Sequence, residues 1–180
     1  LEESILHAER ELGRMGANRF GLNYSDPEPG FDRSKVKGRV IRLIAMKNPK
    51  YARALEAGSG GSLFSVVVEN GAIASILLKR KSLGNVKILP NNRMKPRVIP
   101  DRILERVQSK YGNKAIPAIS LIDYDRSIEN SIKYVFGGYF VCETPEIAKG
   151  VAYDSSIGVM AVTLQGDSYD PTGSISGGAS

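Results

Sequence analysis

"TLQGDSYDPTGSISGGAS", residues 163–180, follows a short apolar run with four glycines and a proline. Glycine adopts backbone conformations closed to other residues, and Asp-Pro and Gly-Ser pairs mark turns. Such a segment can cradle a phosphate, turn a sheet edge toward a partner, or end the domain in irregular chain. The sequence before it decides among these.

Working backwards, "GVMAVTLQG" predicts a last long strand, "PEIAKGVAY" a helix and "YFVCE" a strand. "SIENSIKYVFG" predicts a helix with Ile128, Ile132 and Val135 along one stripe, and "AISLIDY" another strand. The first half mixes the same elements. "GRVIRLIAM" reads as one strand, and "NPKYARALEAG" as a helix capped by Asn48, opened by Pro49 and stopped by Gly58. "LFSVVVE" reads as a strand covered on both faces, because its β-branched run lacks alternation. "GAIASILLKRKSLG" predicts a helix with Ile73, Ile76 and Leu77 inward, "NVKILP" a short strand, and "PDRILERVQSKYG" a helix burying Ile103, Leu104 and Val107. Helices and strands mingle throughout, which predicts an α+β or α/β domain in two lobes.

The first fifteen residues differ. Leu1, Ile5, Ala8, Leu12 and Met15 form an a/d seam over about two heptads, too short to stand alone, and read as the end of a coiled-coil arm or a docked amphipathic helix. Residues 16–34, rich in Gly, Asn, Asp and Pro, read as a connector. The domain proper is expected over 35–180, with lobes at about 35–95 and 115–180 linked by 96–114.

Charge is unevenly spread. Residues 71–114 hold 11 Lys and Arg against 2 Asp and Glu, whereas residues 115–180 hold 3 against 8. A basic face for a polyanion and internal pairing between the two segments are both compatible with this. The candidates for phosphate contact are Lys79, Arg80, Lys81, Lys87, Arg93, Lys95, Arg97, Arg102, Arg106 and Lys110, with Lys114 beside them. Arg102, Arg106 and Lys110 also have the spacing of an ordinary solvated helix face.

Other chemistry finds little support. No GxGxxG or GxxxxGK[ST] occurs, and "EAGSGGSLF" lies between helix and strand, the reverse of the phosphate-binding order. One histidine, His7, rules out the usual Ser-His-Asp set unless the fold brings it in. Cys142 reads as a small buried hydrophobe, while Asp123, Asp125, Asp167 and Asp170 read as turn and helix caps. No run of apolar residues reaches the ~20 a bilayer span needs. No catalytic residue, metal or cofactor is expected.

Several motifs carry a resemblance when taken in order. "YARALEAGSGGSLFSVVVEN", "LIDYD", "IKYVFGGYFVC", "AKGVAY", "TLQGD" and "YDPTGSISGG", between about Lys37 and Gly178, resemble the hinge domain of the structural-maintenance-of-chromosomes (SMC) family. "KYVFGGYFVC" and "GDSYDPTGSISGG" are more similar to condensin hinges than to cohesin hinges. The resemblance implies half of a toroidal hinge dimer, inserted midway in a long coiled-coil ATPase whose heads lie elsewhere. It implies a non-catalytic domain whose partner is another SMC hinge, such as the sister condensin subunit, with weak non-specific DNA contact near the hinge-coil junction. It also implies location in the nucleus on chromosomes, and in the cytoplasm outside mitosis. Carried over by position, the interface residues are Gly58, Gly60, Gly61, Gly166, Gly173, Ser174, Ile175, Ser176, Gly177 and Gly178. The alternative is a monomeric, non-sequence-specific nucleic-acid-binding module in which the glycines only make turns. "Ile73 to Arg97" matches the family least clearly, which leaves a DNA role to be decided by structure.

Overall fold

Two long expected strands are each divided by a single turn of 3₁₀ helix, and that division joins the two halves of the molecule. The structure is a computed structural model that describes residues 22–177. The coiled-coil seam, His7 and Gly178 lie outside the described residues. "GRVIRLIAM" gives β1 (Val36–Arg39), a 3₁₀ turn at Val40–Arg42 and then β2 (Ile44–Met46). The turn buries Val40 completely, with its amide donating to the Ser65 carbonyl at 3.0 Å. The chain then leaves one sheet for another.

The first sheet has the order β1-β3-β4, where β3 (Val66–Val68) pairs antiparallel with β1 and parallel with β4 (Ile88–Pro90). All three valines of β3 are fully buried, as an unalternating β-branched run requires. "AISLIDY" divides in the same way into β5 (Ala115–Pro117), a 3₁₀ turn and β6 (Ile122–Tyr124). β6 pairs with β2, a two-stranded ribbon that ties residues 44–46 to 122–124. The larger sheet is β10-β9-β8-β7-β5, built from β7 (Tyr139–Cys142), β8 (Met160–Thr163), β9 (Ser168–Tyr169), β10 (Ile175–Ser176) and β5. The last strand is therefore shorter than expected. Gly166 turns the chain at φ 93°, its amide donating to Thr163, so the run breaks into a hairpin.

The helices follow their caps. α1 (Ala52–Ser59) is preceded by a 3₁₀ turn from Pro49, where the Asn48 side chain accepts from the Lys50 amide. It passes through Gly58 and stops at Gly60, whose φ of 56° suits only glycine readily. The expected stop at Gly58 is thus corrected by two residues. Gly58 serves another purpose: the Tyr139 ring lies where a Cβ would stand, and the Tyr139 hydroxyl donates to the Leu55 carbonyl. α2 (Gly71–Lys79) is capped by Asn70, α3 (Asp101–Tyr111) follows Pro100, α4 (Glu129–Phe136) follows the Asp125 turn, and α5 (Pro145–Tyr153) is capped by Thr144. In α2, Ile73, Ala74 and Leu77 are buried while Ile76 is only half-buried.

One core spans both lobes. Val40, Leu55, Val67 and Leu89 from the first half meet Ile132, Phe136 and Tyr139 from the second. A second cluster places α3 and α5 against the larger sheet through Val107, Phe140, Val151 and Ala161. A third sets α2 on the small sheet, and Leu22, Tyr24 and Phe31 of the expected connector dock onto it. Asn91 pins the lobes as well. Its side-chain oxygen accepts from the Ser131 amide and hydroxyl at 3.0 and 2.7 Å, and its amide donates to the Ser127 carbonyl.

Candidate functional site

β10 is the outermost strand of the larger sheet among the described residues, so one side of it faces no described strand. The Asp170 amide donates to the Ser174 carbonyl at 2.9 Å, which makes residues 170 and 174 a hydrogen-bonded pair. Alternation in an antiparallel ladder then makes Tyr169 and Ile175, which lie opposite each other, a non-hydrogen-bonded pair. Ile175 therefore turns its own N–H and C=O outward, and its side chain is 59% exposed. An apolar side chain and an unused backbone donor and acceptor sit at one edge position. The hairpin is held by Asp170, whose carboxylate accepts from the Thr172 hydroxyl and amide, bonds that lower its pKa. Asp170 is a turn cap, as expected.

The interface glycines separate by cause. Gly58 is required by Tyr139, Gly60 and Gly173 by positive φ, and the buried Gly166 by its turn. Gly61 and Gly177 are different. Both are exposed, neither has a positive φ, and a Cβ at Gly61 would meet nothing within 4 Å. At Gly177 it would only reach the Asp167 carboxylate at 4.0 Å. Nothing among the described residues demands glycine at either position. Ser174, Ile175, Ser176 and Gly177 form one exposed stretch with Gly173.

Comparison with known proteins identifies this architecture. The sequence pattern described as "SMC proteins Flexible Hinge Domain" matches residues 33–152, more than half of the chain. The chain is an SMC hinge domain. It is 37% identical over 183 residues to "Structural maintenance of chromosomes protein 2" of Dictyostelium discoideum, covering 99% of this chain and 16% of that protein. It is 40% identical over 172 residues to "Structural maintenance of chromosomes protein 2-1" of Arabidopsis thaliana, covering 94% and 15%. The hinge thus spans about one sixth of the length of the curated relatives it matches. Its fold matches the crystal structure of the Pyrococcus furiosus SMC protein hinge domain with a TM-score of 0.64 at 28% identity, covering 95% of this chain and 79% of that one. The matched region is a non-catalytic hinge with two mixed α/β lobes.

The basic residues of the hinge fall into separate groups. Lys87 and Arg97 both lie over the Tyr134 ring, at 5.5 and 4.8 Å from its centroid. Arg93 covers Gly71 at the start of α2, a nine-residue helix about 13 Å long, whereas Lys79, Arg80 and Lys81 lie at its far end. Arg106 donates to the Ser156 hydroxyl at 2.6 Å, and Lys110 pairs with Asp154 at 3.3 Å. Arg102 lines the same groove. Asp154 is held down at about 2, chiefly by the Ser156 hydroxyl and amide and then by Lys110. The α3 set is therefore engaged with its own domain. Lys95 is exposed.

Lys79, Arg80 and Lys81 are exposed and pair with no carboxylate among the described residues. Residues 71–100 contain no Asp or Glu. The end of α2 is a Schellman turn: the Lys81 amide donates to Leu78 and the Ser82 amide to Leu77. Lys81 takes the left-handed position with φ 52°, the only described residue other than glycine to do so. Glycine is favoured there, so Lys81→Gly should stabilise the hinge by about 0.5–1 kcal/mol, read in a urea melt. A melt midpoint that falls would show that the Lys81 side chain supports the turn.

The remaining candidates are structural. Cys142 is fully buried and burial pushes its thiol up to about 12. Asp125 accepts from the Ser127 amide at the start of α4, and Asp123 is exposed with Lys47 at 3.9 Å. Tyr134, Tyr139 and Asn91 were not singled out by sequence. Tyr134 stands in a visible aromatic run, but only the fold carries Lys87 and Arg97 over it.

Proposed function

We propose that this hinge joins its chain to a second SMC hinge through the open β10 edge, within a chromosome-organising ATPase of the condensin kind. The observation that carries this reading is Ile175, which offers outward backbone groups and an exposed apolar side chain on an uncovered strand. Gly61 and Gly177 add support, since close approach of another backbone explains glycines that nothing among the described residues requires. The partner is a different hinge, that of the sister condensin subunit, and the complex works in the nucleus on chromosomes, and in the cytoplasm outside mitosis. Similarity to proteins named structural maintenance of chromosomes protein 2 supports this choice. Light scattering at micromolar concentration, first alone and then mixed with other SMC hinges, tests it. A strict monomer in every mixture would favour the monomeric nucleic-acid-binding module instead.

DNA contact belongs to the same proposal and rests on the cations at the end of α2, which pair with no carboxylate among the described residues. Binding is expected to be weak, indifferent to base sequence and steep in salt, because it depends on counterion release. Replacing Lys79, Arg80 and Lys81 with alanine should weaken binding at 50 mM salt by about threefold to tenfold and flatten the salt dependence by up to ~3 in slope. The same change at Arg102, Arg106 and Lys110 should do less, because two of these side chains are already engaged. Anisotropy titrations at two salt concentrations with single- and double-stranded DNA distinguish the sets. Equal loss from both, or from neither, removes the α2 terminus from the DNA surface.

A further inference from the structure

We infer that Ser82 is a phosphate-acceptor site for an arginine-directed serine/threonine kinase, and that its modification switches off the basic end of α2. The sequence around it is Lys79-Arg80-Lys81-Ser82-Leu83. Three cations precede the hydroxyl and an apolar residue follows it, the chemistry that a kinase cleft with acidic subsites and a small apolar pocket reads. None of the three cations is tied to a carboxylate of this chain among the described residues, so each is free to enter such subsites.

The local fold presents the hydroxyl. Ser82 is the last residue of the Schellman turn, anchored by its backbone amide to Leu77, and no hydrogen bond occupies its Oγ among the described residues. It is partly exposed, and the chain from Ser82 to Lys87 forms neither helix nor strand. Leu83 and Val86 of this segment rest on the third core cluster at its margin, so entry into a kinase cleft requires these two side chains to lift off it in a local opening. Lys81, held left-handed at φ 52°, breaks the helix immediately before the acceptor. In the reaction Ser82 Oγ attacks the γ-phosphorus of MgATP, the bond from that phosphorus to the bridging oxygen breaks, ADP leaves, and the kinase's base takes the hydroxyl proton.

The consequence is electrostatic. Phosphoserine adds about −1.5 to −2 charge at neutral pH, placed beside Lys79, Arg80 and Lys81. It offsets about half to two thirds of their charge and offers Arg80 a paired anion within the same turn. This part of the inference rests on the proposed DNA contact; the acceptor site itself does not.

The test incubates the folded chain with MgATP and the catalytic subunit of cAMP-dependent protein kinase, and maps phosphate by tandem mass spectrometry. Near-stoichiometric phosphate on Ser82 is expected, absent in Ser82→Ala, retained in Ser82→Thr, and formed with kcat/KM at least tenfold lower in Arg80→Ala. Absence of phosphate on Ser82, labelling only after heat unfolding, or a rate unchanged in Arg80→Ala overturns the assignment. DNA affinity of the phosphorylated chain at 50 mM salt is expected to fall threefold or more. A chain phosphorylated on Ser82 with unchanged DNA affinity upholds the acceptor site and overturns the DNA role of the α2 terminus.

Discussion

Gly137→Ala should destabilise the hinge by about 3 kcal/mol, the upper part of the range for overpacking, which in a domain of this size lowers Tm by roughly 6–12 °C. Gly137 closes α4 with φ −81° and ψ −7°, an ordinary conformation, so the residue is not glycine for the sake of its backbone angles. Its added Cβ would stand on the backbone carbonyl of Arg97. A side chain could rotate away; a carbonyl cannot. The segment from Met94 to Pro100, which forms neither helix nor strand, would have to move off α4. That movement would also lift the Arg97 guanidinium from the Tyr134 ring and its side chain from Gly138. Gly61→Ala, melted like the others at concentrations where the chain is monomeric, is the control, because a Cβ there meets no described atom within 4 Å. Thermal melts followed by circular dichroism check the pair. If both variants melt within a degree of the parent, the linking segment is not seated against α4 as described.

This crossing also marks where sequence reasoning stops. The helices were legible chiefly from their apolar stripes, Ile73 and Leu77 in α2, Ile103 and Val107 in α3, Ile132 and Val135 in α4, and α1 from the Asn48 cap before it. β3 was legible as a doubly covered strand because three adjacent β-branched residues leave no side for water. The divided strands were not legible. Val40 and Leu121 are apolar in an apolar run, and nothing local distinguishes a strand that continues from one that turns and changes sheets. Pairing between residues 44–46 and 122–124 is a long-range choice, settled by the core that the lobes share.

The basic segment shows the same limit. Counting charge found it, but the count treats Arg106 and Arg80 alike. Only the fold ties Arg106 to Ser156 and leaves Arg80 unpaired among the described residues. The glycines likewise look equivalent in sequence. Structure gives Gly58 to Tyr139, Gly60 to a helix end and Gly166 to a turn, and leaves Gly61 and Gly177 without a reason among the described residues. Of the two left over, Gly61 lies in the 3₁₀ turn after α1 and Gly177 immediately follows the open edge strand.

Ile175→Pro should weaken dimerisation about tenfold to a hundredfold while leaving the monomer folded. The argument is one of hydrogen-bond accounting. In the non-hydrogen-bonded pair with Tyr169, the Ile175 amide takes no part in the β9–β10 ladder, so proline removes no bond of that ladder. Proline is tolerated on edge strands for this reason. Against a partner strand the outward amide is a donor, and its loss leaves a partner carbonyl unsatisfied in a covered interface, at a cost of about 1–3 kcal/mol. Each ~1.4 kcal/mol is a factor of ten in dissociation constant. Ile175→Ser separates the backbone from the side-chain contribution, because it keeps the amide and removes only the 59% exposed apolar group. The dissociation constant by sedimentation and the melting curve of each variant are needed together. Proline that unfolds the hairpin would show as a lower Tm at concentrations where the parent is monomeric. Proline that leaves both Tm and dissociation constant unchanged moves the partner surface away from β10, whereas a weaker dimer at unchanged Tm places the second chain on that edge.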